Sequence, residues 1–227
     1  MVLYKNMVRE VIYYTNNICD EKILNTVIRR LNKICKEKNL NIISVSHKPM
    51  DFGKNVVMDL PSSAGSIFKQ IYRGLQESVA DIVYLVEHDV LYHEGHFNAI
   101  PRRPHHFLYN QNIWQVDRTG QAIYHKSRRT SQLIVYRKTL MEYLEVILIK
   151  INKKGYFDGV GIAPMTHPYK GIQFRGLRTF NSEIPNIDIR HESNFSNYEY
   201  EEGDTISDEI PWWGKTLGRF NELLEHD

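Results

Sequence analysis

Three apolar, β-rich runs alternate with two stretches of helical period in residues 1–97, and this alternation narrows the fold more than any other feature of the chain. The first run is Val8 to Tyr14, ending in Thr15-Asn16-Asn17. Asp20 is a good N-cap for a helix running to about Lys38, with Ile23, Leu24, Val27, Ile28, Leu31 and Ile34 on one face. The second run is Asn41 to Ser46, followed by a loop through Asp59 punctuated by proline and glycine. Ser62 or Ser63 can cap a second helix with Ile67, Ile71, Leu75 and Val79 inward, which leads into the third run, Ile82 to Val86. Strand, helix, strand, helix, strand with short joints predicts a parallel, right-handed βαβ layout. Such sheets bind ligands outside the carboxyl ends of their strands. Thr15-Asn16-Asn17, Ser46-His47 and Glu87-His88-Asp89 fall at those ends, so one crevice can collect all three.

Glu87 and Asp89 are two residues apart, and in an extended chain such positions point to one side. They can converge on a hard divalent cation such as Mg²⁺ or Mn²⁺, which needs only one or two carboxylates when a diphosphate supplies the rest. The same triplet also suits a strand end with solvated acids.

The length of 227 residues, 42% hydrophobic, suits one domain with a sizeable core. No apolar run approaches the ~18 residues of a membrane span, and the start, MVLYKNMVREVIYY, is too polar for a signal peptide. Two cysteines, Cys19 and Cys35, fall within or beside one helix and imply neither a disulfide framework nor a zinc site; a reducing cytoplasm is the expectation. Net charge is only +2 but uneven. Between Arg102 and Lys138 eight Lys/Arg face one acid, and between Glu183 and Glu209 nine acids face one Arg. That asymmetry is either an anionic partner's footprint or ordinary surface.

The second half is less regular. Trp114 to Asp117 and Gln132 to Tyr136 read as strands, separated by the basic segment His125 to Arg129. Thr139 and Glu142 fit a capping box for a helix with Leu140, Tyr143, Leu144, Ile147 and Leu148 inward. A glycine-rich loop, Gly155 to Pro164, follows; Asn186 to Arg190 is a short strand ending at His191. Glu199 to Glu209 reads as a mobile acidic loop, and the chain closes with a helix carrying Leu217, Phe220 and Leu223 inward. Neither a repeat nor a linker interrupts the chain.

With these elements in place, the order resembles the GT-A-type nucleotide-sugar glycosyltransferases over most of the chain. The resemblance implies an α/β fold: a single GT-A-like domain with a Rossmann-like, mostly parallel central sheet flanked by helices. Residues 1–97 would form the nucleotide-sugar-binding half and 98–227 the acceptor-binding half. By the same resemblance Thr15, Asn16 and Asn17 hold the nucleotide, and Lys69 in SSAGSIFKQIYRGLQ meets the diphosphate, with Lys215 after Trp212-Trp213-Gly214 a second candidate. Glu87 and Asp89 take the place of the family's DxD metal motif, departing from it by the leading glutamate, and His191 in IDIRHESNFSN looks like the later histidine ligand. The donor implied is a UDP-sugar, with Mn²⁺ or Mg²⁺. Asp158 in GYFDG sits where related enzymes carry a turn into the acceptor site, a candidate general base beside Asp117 and Glu183.

The phrase IDIRH, ESNFS and then WWGK is similar to small phage-type transferases that glycosylate hydroxymethylpyrimidines in DNA. For such an acceptor, Arg102, Arg103, Lys126, Arg128 and Arg129, interleaved with Tyr109, Trp114 and Tyr124, would be the DNA-contacting set. A glycan acceptor, a metal-dependent nuclease and a non-catalytic DNA-binding protein are the rival readings. Transfer from a nucleotide sugar builds negative charge on the leaving diphosphate, which a divalent cation and nearby bases stabilise. Oligomeric state is not legible.

Overall fold

The computed structural model describes residues 7–154, 176–192, 194 and 203–226. Its centre is β1 (Arg9–Thr15), buried at every residue after Arg9 because parallel strands flank it and both its faces are covered. Those flanking strands are β2 (Asn41–Ser46) and β4 (Ile82–Glu87), joined to β1 through α1 (Glu21–Lys38) and α2 (Ala64–Glu77) as the alternation predicts. The side chain of Asp20 accepts from the amides of Lys22 and Ile23 and so starts α1, and Ser63 does the same for α2 through the Ser66 amide.

The sheet extends on both sides. β3 (Lys54–Val57) adds a parallel edge beside β2. On the other side β9 (Leu133–Tyr136) pairs antiparallel with β4, then β6 (Phe107–Asn110) pairs antiparallel with β9, and β10 (Leu177–Phe180) lies parallel to β6. The order is β10-β6-β9-β4-β1-β2-β3, with β9 alone reversed among the described strands.

Side-chain alternation divides the core in two. Val11 and Tyr13, with Ile82, Tyr84 and Val86, face α1 and a second, five-stranded sheet. Ile12 and Tyr14, with Val83 and Leu85, face α2 and α3 (Arg137–Lys154). The smaller sheet comprises β5 (Val90–Leu91), β7 (Ile113–Val116), β8 (Ala122–Tyr124), β11 (Asn186–Ile189) and β12 (Thr205–Ser207), in the order β12-β8-β7-β11-β5. A hairpin of β13 (Glu209–Ile210) and β14 (Gly214–Lys215) and the short α4 (Phe220–Glu225) close the described chain.

Several expectations are corrected. The loop through Asp59 contains β3; Gly53, with φ of +59°, lets the chain double back so closely that a Cβ there would lie 2.4 Å from the Ile42 carbonyl oxygen. Val79 is 77% exposed, because α2 stops at Glu77 and the chain turns extended at Ser78. The Thr139–Glu142 capping box does not form: α3 begins at Arg137, and the Thr139 hydroxyl donates to the Pro104 carbonyl. β8 lies just before the basic segment His125 to Arg129, in a stretch to which no strand was assigned, and Thr205 to Ser207 and Glu209, read as mobile loop, lie in β12 and β13. Leu217 precedes α4, which buries Leu223 as expected, together with Leu224. Of the Trp pair, Trp213 is buried, as the packing reading has it, its indole donating to the Pro185 carbonyl with Arg30 stacked 4.6 Å from its ring centre, while Trp212 is 47% exposed. No described helix is long and apolar enough to cross a membrane.

Candidate functional site

The carboxyl ends of the parallel strands open into one cleft of about 220 Å³. β1 contributes Tyr14, Thr15 and Asn16 to its lining; β2 contributes His47 just beyond its end; β4 contributes Glu87, His88 and Asp89. The N-terminal turns of α2 supply Ser62, Ser63, Ser66, Ile67 and Gln70. The remaining wall is Asp188, Arg190 and Asn194, from β11 and the segment after it.

Local pairing explains how two distant segments meet. Immediately after Asp89 the chain enters β5, which runs antiparallel to β11 with Asp188 opposite Val90. The Ile189 amide donates to the Asp89 carbonyl at 2.8 Å, which fixes the end of β11 against the acidic triplet. The cleft floor is tied by Gln70, whose amide donates to the carbonyls of Thr15 and Val45 at 2.7 and 3.1 Å. Asn16 reaches across to the Ser62 hydroxyl at 3.1 Å.

The three carboxylates lie in different environments. Glu87 accepts a short hydrogen bond from the Tyr14 hydroxyl. Burial, then the charge of Asp89, pushes the Glu87 carboxyl up to about 8. Asp89 is buried, and burial alone would raise it. His88 and His191 outweigh that effect and hold it below the usual range. Its Oδ2 accepts from the Asn194 amide at 2.7 Å and lies 3.4 Å from His191 Nε2 and 4.0 Å from His88 Nε2. Asp188 is raised by burial against the opposing charge of Arg129, whose guanidinium pairs with it directly. Burial also keeps the imidazole of His88 below its ordinary value.

Asp89 Oδ1, His88 Nδ1 and His191 Nε2 are buried polar atoms with no hydrogen-bond partner. The Sγ of Cys19 and one ring nitrogen each of His88 and His191 lie within 4.8 Å of one another. The two cysteines were read as implying no zinc site, and Cys19 nonetheless falls in this group; without an ion, burial and the nearby Asp89 charge push its thiol up to about 12.

Of the residues singled out in the sequence, Thr15, Asn16, Glu87 and Asp89 line the cleft, and His191 stands behind Asp89. Asn17 does not line it; with φ of +60° its side chain clasps the backbone of Lys48 instead. Lys69 is absent from the lining, because the cleft side of α2 carries Ser63, Ser66, Ile67 and Gln70. Lys215 lies in the exposed β13–β14 hairpin, in a separate groove with Ile206 and Asp208. Arg102 and Arg103 line another groove with His106 and Arg178, beside β6 and β10. Lys126 and Arg128 are exposed, whereas Arg129 is turned inward onto Asp188. Asp117 organises the β7–β8 turn by accepting from Thr119 and Gln121, and Glu183 is exposed off the cleft. Asp158 lies outside the described residues.

Asp188 and Arg190 went unnoticed as cleft residues, although their two-residue spacing in a strand puts them on one side. Tyr14, Gln70 and Cys19 carry no comparable signal.

No family model and no curated protein matches the sequence. Among solved structures, a glycosyltransferase involved in the glycosylation of the major capsid of PBCV-1 matches with a TM-score of 0.50 at 7% identity, over 80% of this chain and 92% of that one. Staphylococcus aureus TarS 1–349 in complex with UDP-GlcNAc gives 0.46 at 11% identity, over 85% and 62% of the two chains. A mutant Drosophila β-1,4-galactosyltransferase 7 in complex with manganese, UDP-Gal and xylobiose gives 0.41 at 11%, over 73% and 68%. At such identities the first likeness is one of architecture and the other two add nothing to it. The mixed sheet flanked by helices thus has the GT-A-type fold of a solved glycosyltransferase.

Proposed function

We propose that the chain is a metal-dependent glycosyltransferase that moves a sugar from a nucleotide-diphosphate sugar, UDP-linked, to a hydroxyl acceptor. The observation that carries this reading is the convergence of three carboxylates, two histidines and an arginine on one cleft at the carboxyl ends of a parallel sheet. The residues fit a divalent cation: an unpartnered buried polar atom costs about 1–3 kcal/mol, and three of them, on Asp89, His88 and His191, are gathered there. Asp89 and His191 would hold the ion, with Glu87 beside them. When bound, it supplies positive charge to the leaving diphosphate.

The chain's own residues supply the rest. Thr15 and Asn16 border the nucleotide's place, where Gln70 fixes the backbone. Arg190 and the N-terminus of α2, with Ser63 and Ser66, face the phosphates in the role the sequence assigned to Lys69. Asp158 remains the base assigned to the acceptor hydroxyl. For the acceptor we propose a 5-hydroxymethylpyrimidine in DNA; the support is the exposed Arg102, Arg103, Lys126 and Arg128.

Thermal unfolding against a panel of nucleotide sugars, with and without Mn²⁺, tests the donor. A ligand at ~100 times its Kd adds roughly 2.7 kcal/mol, a shift of several degrees. A metal-dependent shift with one UDP-sugar is expected; none with any donor rejects the reading, and cleavage of DNA without donor replaces it with a nuclease. Asp89→Ala is expected to keep the fold by circular dichroism and to lose transfer by at least about a hundredfold. Full activity in that variant removes Asp89 from the metal site. Transfer to hydroxymethylated duplex but not to unmodified duplex identifies the acceptor.

A further inference from the structure

We propose that Cys19 joins His88, His191 and Asp89 in a mixed thiolate, imidazole and carboxylate centre that takes a thiophilic divalent ion, Zn²⁺. This rests on the reading that Asp89 and His191 hold a cation, and goes beyond it in naming a sulfur ligand and the ion it selects.

The four side chains come from three separate segments, each fixed by its own backbone. Cys19 directly precedes the Asp20 cap of α1. His88 and Asp89 follow β4 and lead into β5. His191 follows β11, with its amide held by the Asn194 side chain. Their donor atoms nonetheless cluster. The sulfur and the two ring nitrogens lie within 4.8 Å of one another, and Asp89 Oδ2 is 3.4 Å from His191 Nε2. Among the described residues Cys19, His88 and His191 are the one group of three or more His, Cys, Asp or Glu side chains with such spacing, and Asp89 stands beside it. A tetrahedral zinc with bonds of about 2.0–2.3 Å holds its ligand atoms roughly 3.5 Å apart, so closing the sulfur and the two ring nitrogens onto an ion needs a movement of about an ångström, and Asp89 Oδ2 already has that spacing from His191.

The cluster also lacks a satisfactory arrangement without an ion. The His191 side chain is 2% exposed and its Nε2 has no hydrogen-bond partner, nor does His88 Nδ1 or Asp89 Oδ1. The contact of Cys19 Sγ is a long one, 3.9 Å to the His88 carbonyl. Cys35, by contrast, packs among apolar side chains. Two imidazoles and a thiolate suit zinc or cobalt and disfavour Mg²⁺, which demands oxygen ligands. His88 and Asp89 line the cleft while Cys19 does not, so sulfur approaches the ion from the side away from the cleft space. On coordination the thiol proton passes to solvent and a sulfur–metal bond forms, with no change of oxidation state.

Cobalt titration of the full chain is the test, because a thiolate ligand produces a near-ultraviolet charge-transfer band that nitrogen and oxygen ligands do not. The expected result is that band, its loss when Zn²⁺ displaces cobalt, and its absence in Cys19→Ser, whose zinc affinity falls by more than about tenfold. Alkylation of the unmodified chain, read by peptide mapping, needs no variant: Zn²⁺ should protect Cys19, and a chelator should restore its labelling. Cobalt or Mn²⁺ binding without the band, with Cys19 labelled regardless of zinc, overturns the sulfur ligand and leaves the cation reading standing. Failure of every divalent ion to bind overturns both.

Discussion

Glu87 and Asp89 are separated by one residue, yet their surroundings move them in opposite directions. Burial and the Asp89 charge raise Glu87, while the two histidines hold Asp89 down. The consequences for stability have opposite signs. A lowered carboxyl contributes stability that is present above its ordinary range and lost only in acid, which is the case for Asp89. A raised carboxyl binds a proton more tightly in the native state, so its contribution is full below about 4.5 and is lost as pH climbs toward about 8. Glu87→Gln removes the second effect while keeping a group that can bond to Tyr14. In chelator, that variant should match the parent at pH 4 and melt at least about 2–4 °C higher at pH 8, each 2–4 °C being about 1 kcal/mol for this size of chain. Equal melting temperatures at pH 8 would place Glu87 in water. The acidic pair was legible because it ends an apolar run. Its partners were not: Tyr14 reads as one more apolar strand residue, Cys19 as an isolated thiol, and their roles arise from contacts across the fold. The resemblance implies the diphosphate role for Lys69, whereas the residue beside it, Gln70, is turned toward the cleft by the 100° step of a helix.

At the scale of elements, the cleft depends on how closely α2 lies on β1 and β2. Gly74 sets that distance: a Cβ there would meet Ile12 Cγ2 at 2.7 Å and Val45 Cγ2 at 3.3 Å. Alanine in place of glycine ordinarily favours a helix by about 1 kcal/mol, but forcing a methyl into a packed interface costs typically 1–3 kcal/mol. Gly74→Ala should therefore lower stability by about 1 kcal/mol in denaturant titration and weaken donor affinity, because Gln70 on the same helix ties Thr15 and Val45. A gain in stability would show the helix free to shift. The long amphipathic helices and the buried parallel strands were readable from periodicity alone. The strands β3, β8 and β12 were not, since each is three or four residues with half-exposed positions. Neighbouring strands, not intrinsic preference, hold such segments extended.

At the scale of the whole molecule, the two oppositely charged segments turn out to be partners of each other. β8 and β12 pair directly, His125 Nδ1 lies 2.6 Å from Asp204 Oδ1, and Arg129 pairs with Asp188. Arg118 is 3.4 Å from Asp20, and Arg137 donates to the Leu75 and Ala80 carbonyls. The charge asymmetry along the sequence is thus partly an internal complement, and besides Arg118 the exposed bases between 102 and 138 are Arg102, Arg103, Lys126, Arg128 and Lys138. Each phosphate contact contributes about −0.9 to the slope of log K against log salt for duplex DNA. Eight engaged bases would give roughly −7, and these five cap it at about −4.5. Binding to hydroxymethylated duplex across a salt series should respect that limit, and Arg103→Ala should make the slope shallower by about 1 with little change in stability. Arg129→Ala should do the reverse, leaving the slope intact while costing about 3 kcal/mol at pH 8, because Asp188 stays buried without its partner. In acid the cost should shrink, since the raised Asp188 carboxyl then takes a proton. A slope near −7, or an Arg129→Ala chain as stable as its parent, would mean that the basic segment faces outward as a unit and that the inward pairing does not hold in solution.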